Sequence, residues 1–338
     1  MRASRCVLAG LALFAGGCSR EYPNPFAQGN RTLPPPPGAG LVVPTGLWSA
    51  QAGAPRELFA LEPDGGNPTQ LTFCNAGGEG CDVIEAAPSP NRNRMMLRRL
   101  NVGAEGETVV FVDLQRAAEA VIVPPVQRAS GVDWSPQDGV VVYSAVGEGN
   151  LEDLYRIDPN GNNGRNLTSS AGVRERTPRI DPGGSVAIYQ RIEAGAKGAI
   201  FIFQTTTLQS RVTAGGPGEG VLPGTGEIVG TDADPDFSPD ARSVVFRRLT
   251  ATGSAGLGTW DVLTVSVDGT SLATVASGPV FRGPPDWGSR GILFTETDAA
   301  AGTTVLVLVQ PDGSGRQVLL TQPATTRIGI PRWLPGVP

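Results

Sequence analysis

Short runs of valine, isoleucine, leucine and phenylalanine recur from residue 41 to the C-terminus, and each is bracketed by glycine, proline, aspartate or serine. VVVYSAV at 140–146, SVAIYQRI at 185–192, SVVFRRL at 243–249 and GILFTET at 291–297 are examples. β-Branched and aromatic residues in brief runs bounded by turn formers predict strands rather than helices. These four runs share a prelude: GVDWSPQDG, TPRIDPGGS, DPDFSPDAR and PPDWGSRG. In each prelude a large apolar residue stands just before a turn, forming a column of Trp134, Ile180, Phe237 and Trp287. A diverged copy, AAPSPNRNRMMLRRL, puts Pro88 in that column, and IPRWLPG supplies Trp333.

The steps along the column are 46, 46, 57, 50 and 46 residues. A period in the forties with strand-like units predicts a propeller, not a helical solenoid. The one long step contains GGPGEGVLPGTGEIVG at 215–230, an insertion suited to a surface loop. Further strands follow in constant order: TVVFVDL, DLYRIDP, AIFIFQT, WDVLTVSVD and TVLVLVQPD, then turns such as DPNGNNG, VDGTS and PDGSG, then NLT, RVT, LATVA and VLLT. Four strands in such a span make one blade. Residues 47–73 read as a blade without its first strand, and RIGIPRWLPG as a first strand without the rest. The expected fold is all-β, a six-bladed β-propeller over residues 41–338, its last blade closed by strands from the N- and C-terminal ends.

Composition adds 46 Gly and 30 Pro, which favour turns, and 40% hydrophobic residues, enough for a large core. The net charge of −5 offers no basic stripe for phosphates, so nucleic-acid binding is not expected. Histidine is absent and Lys197 is the only lysine.

The first residues pattern as a targeting segment: MRASR is basic, VLAGLALFA is apolar and too short to span a bilayer, and AGGC follows. This resembles a bacterial lipoprotein signal peptide over residues 1–17, with Cys18 as the acylated residue. Ordinary cleavage without a lipid is the alternative. Ser19 after the cysteine resembles lipoproteins sorted to the outer membrane. Loss of Arg2 and Arg5 with residues 1–17 would move the net charge from −5 to −7. Residues 18–40, with a tetraproline, read as a tether. Cys74 and Cys81 enclose NAGGEG, and in an oxidising compartment a disulfide between them is expected.

PDFSPDARSVVF, DWSPQDGVVVY and DPNGNNGRNLT together resemble the WD40-like repeat of TolB-like β-propellers. The resemblance covers most of residues 41–338. It implies the fold, an envelope location and a channel mouth that binds partners. It departs in lacking the α/β domain that precedes the propeller of TolB, and in its lipoprotein-like leader.

Without histidine, Ser-His-Asp and Cys-His catalysis is excluded. The lyases of this fold rely, by family resemblance, on a histidine-held metal, and Lys197 sits in a loop sequence. Paired carboxylates could still do acid–base work. Asp232, Asp234, Asp236 and Asp240 alternate as calcium ligands do, but Asp236 and Asp240 occupy ordinary repeat columns, leaving Asp232 and Asp234 as a surplus. No metal or cofactor is expected. The column aromatics read as packing between blades in preference to a ligand-stacking stripe. The loops leading into the first strands carry Arg128, Glu175, Arg176, Asp232, Asp234, Arg282 and Arg327, a mixture suited to a protein or peptide partner, or else a solvated rim. The expectation is a non-enzymatic, monomeric, protein-binding or scaffolding lipoprotein of the cell envelope, touching the membrane only through its lipid. The alternative is a carbohydrate-binding or carboxylate-based glycan-cleaving propeller.

Overall fold

The structure, a computed structural model, describes residue 35 and residues 38–336, apart from 47–53, 74–80, 102–106, 116–117, 127–128, 138, 147–150, 169, 194, 196–197, 205–218, 223–224, 226–230 and 253–257. Cys18, Cys74, Arg128, Lys197 and residues 1–17 therefore lie outside the described residues.

Among the described residues there is no helix, and the strands form six antiparallel sheets. Blade 1 contains β1 (Leu41–Thr45), β2 (Glu57–Leu61) and β3 (Thr69–Gln70). Blade 2 is β4 (Cys81–Pro88), β5 (Arg94–Asn101), β6 (Glu107–Asp113) and β7 (Ala118–Val126). Blade 3 is β8 (Ala129–Trp134), β9 (Val141–Val146), β10 (Glu152–Ile157) and β11 (Arg165–Asn166). Blade 4 is β12 (Val173–Ile180), β13 (Val186–Glu193), β14 (Ala199–Gln204) and β15 (Glu219–Val221). Blade 5 is β16 (Asp232–Phe237), β17 (Ser243–Ala251), β18 (Thr259–Ser266) and β19 (Ala273–Ala276). Blade 6 has a divided first strand, β20 (Phe281–Arg282) and β21 (Asp286–Gly288), before β22 (Gly291–Asp298), β23 (Thr303–Val309) and β24 (Gln317–Pro323). The final strand, β25 (Arg332–Trp333), pairs with β1 as the first strand of blade 1, so the chain ends share a sheet and close the ring. The second strand of that blade lies at Leu41–Thr45, earlier than the 47–73 reading placed its start.

The core explains why the repeat has this form. Six buried apolar clusters each join two consecutive blades, from Leu58 and Ala86 between blades 1 and 2 round to Leu41 and Leu293 between blades 6 and 1. The apolar column supplies them: Trp134, Ile180, Phe237 and Trp333 belong to four different clusters, and Trp287 packs against a fifth. These aromatics are inter-blade packing.

A second repeating device lies one residue upstream. Asp133 accepts a hydrogen bond from the main-chain N–H of Ile180 at 2.8 Å, Asp236 from Trp287 at 2.7 Å and Asp286 from Trp333 at 2.6 Å. Each aspartate therefore satisfies the column residue of the following blade. Arg332 holds the equivalent position in blade 1, where the following column residue is Pro88 and has no N–H to be satisfied.

The first strands are broken just before the column. Register shifts separate Val83 from Glu85, Ala129 from Val132, Arg176 from Arg179 and Ala233 from Asp236. Pro178, Pro235, Pro285 and Pro331 each lie two residues before the column. A channel-facing edge strand tolerates proline because it has no neighbour there to receive an N–H. Thr177 and Asp234, each preceding a proline, have positive φ of 48° and 51°. At the matching bend of blade 3 Gly131 has φ 138°, and a Cβ there would lie 2.6 Å from the Thr177 Cα, so only glycine fits between these blades.

Candidate functional site: the two channel mouths

The first strands all begin near one mouth of the ring, here the upstream mouth, and end near the other, the downstream mouth. The charged residues picked out from the sequence, apart from Arg128, lie at the upstream mouth, and the structure engages them internally. Asp232 is fully buried and holds Arg248 through Nε and Nη2 at 2.7 and 2.9 Å, the two residues facing each other across β16 and β17. Asp234 pairs with Arg247, whose guanidinium also stacks 4.4 Å from the Trp260 ring and donates to the Arg282 carbonyl of the next blade. Arg282 is buried, bonding Glu296 at 2.9 Å and the carbonyls of Trp260, Ser277 and Gly278. Arg176 reaches back to Glu152 of blade 3. Glu175 is buried, and burial, reinforced by Asp153, pushes its carboxyl up to about 7. Arg327, half exposed, shares Asp82 with Arg56. The surplus pair Asp232 and Asp234 thus has a structural account. Strand register sets Asp232 opposite Arg248, the irregularity after Ala233 brings Asp234 to Arg247, and aspartate tolerates the left-handed bend at 234 better than most residues.

The other sequence candidates are also placed. Cys81 is fully buried and disulfide-bonded. Asp240 accepts hydrogen bonds from the Ser238 hydroxyl and the Arg242 N–H within the SPD turn, and these hold its carboxyl below the usual range. In DPNGNNG, Asp158 accepts from Asn163 and Arg156, and Asn160 from the Asn162 N–H. The oxygens of Asp240, Asp158 and Asn160 are spent on their own turns.

At the downstream mouth lies a feature sequence reading did not single out: a cavity of about 470 Å³. Its walls are the column residues with the prolines of the following turns, including Pro90, Pro136, Pro182 and Pro239. Asp133, Asp236, Asp286 and Arg332 line it as well. Six blades each bring a strand end to this point, which gives a ring of apolar side chains around a charged centre. Behind the lining, Glu85 is fully buried and accepts from Arg179 and Arg332 at 2.8 Å each and from Arg98 at 3.3 Å. Burial acts to raise the Glu85 carboxyl, but these three arginines outweigh it and hold it at about 2. Arg332 also bonds Asp286 at 2.9 Å. Asp236 is 4.0 Å from Arg179. Burial, reinforced by Asp286, pushes its carboxyl up to about 7 against the pull of Arg332 and Arg179. Asp133 is likewise raised by burial.

Comparison of the whole architecture with solved structures identifies its relatives in shape. TolB from Acinetobacter baumannii superposes with a TM-score of 0.67 over 88% of this chain and 67% of that one, at 13% identity. The fold is a TolB-like propeller. A putative TolB from Agrobacterium tumefaciens matches with a TM-score of 0.57, 16% identity, and 88% and 99% coverage of the two chains. Enzymes share the TolB-like architecture too: an oligogalacturonate lyase in complex with manganese matches with a TM-score of 0.50, 11% identity, and 85% and 75% coverage. No protein-family model matches the sequence, and no curated protein matches it. At these identities the likeness is one of fold, and function has to be argued from the site.

Proposed function

We propose that the protein is a non-enzymatic partner-binding propeller of the bacterial cell envelope, tethered by a lipid on Cys18, and that it takes a segment of partner polypeptide at its downstream mouth. The observation that carries this reading is the cavity itself. Its volume lies in the range of roughly 300–1,000 Å³ typical of sites for small ligands, enough for a few residues of chain and not for a folded domain. Apolar walls around a few fixed polar groups are the composition of such sites. The charged residues described at the upstream mouth, by contrast, are engaged with partners within and between blades.

A photo-crosslinking side chain placed at Ser289 on the cavity lip, compared with one at Ser271 in a turn outside the cavity lining, tests the assignment. A discrete envelope protein captured from the first position and not from the second supports it. Equal capture from both positions, or capture from neither, would overturn it. Palmitate incorporation abolished by Cys18→Ser checks the anchor, and label persisting in that variant would exclude Cys18.

A second reading is supported by one observation. Asp236, pushed up to about 7 beside Asp286, is the arrangement of a general acid next to a second carboxylate. On that reading the mouth cleaves or binds a glycan, and screening cell-wall and extracellular glycans for turnover separates the two.

A further inference from the structure

We infer that the downstream cavity recognises a basic side chain, lysine or arginine, presented by the partner polypeptide between apolar residues. This deepens the partner-binding reading and rests on it.

The lining carries four aspartates against one arginine, and one of the four, Asp181, is spent on the main-chain N–H groups of Gly183, Ser185 and Val186 in its own turn. That arginine, Arg332, is already engaged by Asp286 in the lining and by Glu85 behind it. Glu85 draws in Arg98 and Arg179 as well, so the cations nearest the cavity are committed to a carboxylate outside it. Asp133 and Asp236 each give one oxygen to a main-chain N–H of the next blade, and the approach of Arg179 to Asp236 is no closer than 4.0 Å. The main-chain bonds fix where these carboxylates sit and leave their charge poorly compensated. A buried group in that position gains by neutralisation, either by a proton or by a cation that enters the cavity.

Two further observations select the kind of cation. Among the described residues no group of three or more carboxylates is arranged to hold a metal ion. The walls are apolar and aromatic, which matches the methylene stem of lysine or arginine, its apolar neighbours, and the attraction of a cation to an indole face.

The test uses the purified protein and three blocked tripeptides, acetyl-Leu-Lys-Pro-amide and its Nε-acetyllysine and glutamate counterparts, with calorimetry and tryptophan fluorescence as readouts. The lysine peptide should bind at least about tenfold more tightly than the acetyllysine peptide, since acetylation removes the charge and keeps the methylene stem. Binding should also weaken on moving from pH 8 to pH 5.5. Asp236 gains its proton across that range, while Asp286, Arg332 and Arg179, the charged groups facing it, set its affinity for that proton. Both comparisons use the unaltered chain and need no variant to fold. The Asp133→Asn/Asp236→Asn double variant should abolish the preference for lysine.

Equal binding of the lysine and acetyllysine peptides, preference for glutamate, or binding that tightens at pH 5.5 would overturn the inference. So would displacement of the lysine peptide by calcium chloride alone with an equal fluorescence change. A partner crosslinked at Ser289 as efficiently in the double variant as in the wild type would remove the cation while leaving the mouth as a partner site. Loss of all crosslinking together with no peptide binding would remove both.

Discussion

Thr177 shows how closely single residues are constrained in this ring. A β-branched residue at φ 48° is held there only because a proline follows and blade 3 presses against it through Gly131. Its hydroxyl is buried without a partner. Thr177→Gly should therefore raise stability by about 1 kcal/mol, read from the midpoint of urea unfolding at unchanged slope. A destabilised variant would mean that the threonine side chain is part of the packing. Asp236 makes a different prediction. Unfolded, it ionises near 3.8, while in the fold it ionises near 7. Between those values the folded protein keeps a proton that the unfolded chain has lost, so stability falls as pH rises through the window. Asp236→Asn should flatten that fall between pH 4.5 and pH 7.5 in thermal melts. A remaining slope is expected from Glu175, which is shifted in the same direction. A slope no different from wild type would show that Asp236 ionises normally.

The inner strands are elements that depend on their neighbours more than on themselves. β25 has two residues and β20 and β21 only two and three, far too little pairing to stand alone. What fixes them is the aspartate-to-N–H bond from the preceding blade and the apolar cluster beside it. Asp133→Ala leaves the Ile180 N–H without its acceptor and should cost about 1–3 kcal/mol, seen as faster hydrogen exchange at the Ile180 amide relative to other blades. The repeat was legible in the sequence because these two requirements leave a mark in five of the six blades, an acid or arginine followed by a large apolar residue and a turn, with Ala87 and Pro88 in those places in blade 2. The charged residues at the upstream mouth were legible as residues but not as partners. Asp232 meets Arg248, and Asp234 meets Arg247, only once β16 and β17 are in register. The downstream cavity was not legible at all, since it is assembled from short pieces of six blades as far apart as Pro88 and Gly336, each of which looks locally like ordinary repeat grammar.

At the scale of the molecule, the ring closes where Arg332 joins four blades: it sits in blade 1, bonds Glu85 in blade 2 and Asp286 in blade 6, and donates to the Val132 carbonyl of blade 3. Arg332→Gln leaves two buried carboxylates short of a counter-charge and should lower stability by about 3–5 kcal/mol, measured by chemical denaturation. A loss under about 1 kcal/mol would show that the apolar seam closes the ring without it. The prolines two residues before the column have a consequence for the whole channel. Pro178, Pro235, Pro285 and Pro331 leave four of the six inner strands without an N–H at their bend, so a peptide entering the ring finds no continuous ladder to extend. Whatever this channel accepts, it must read by its side chains and not by adding a strand.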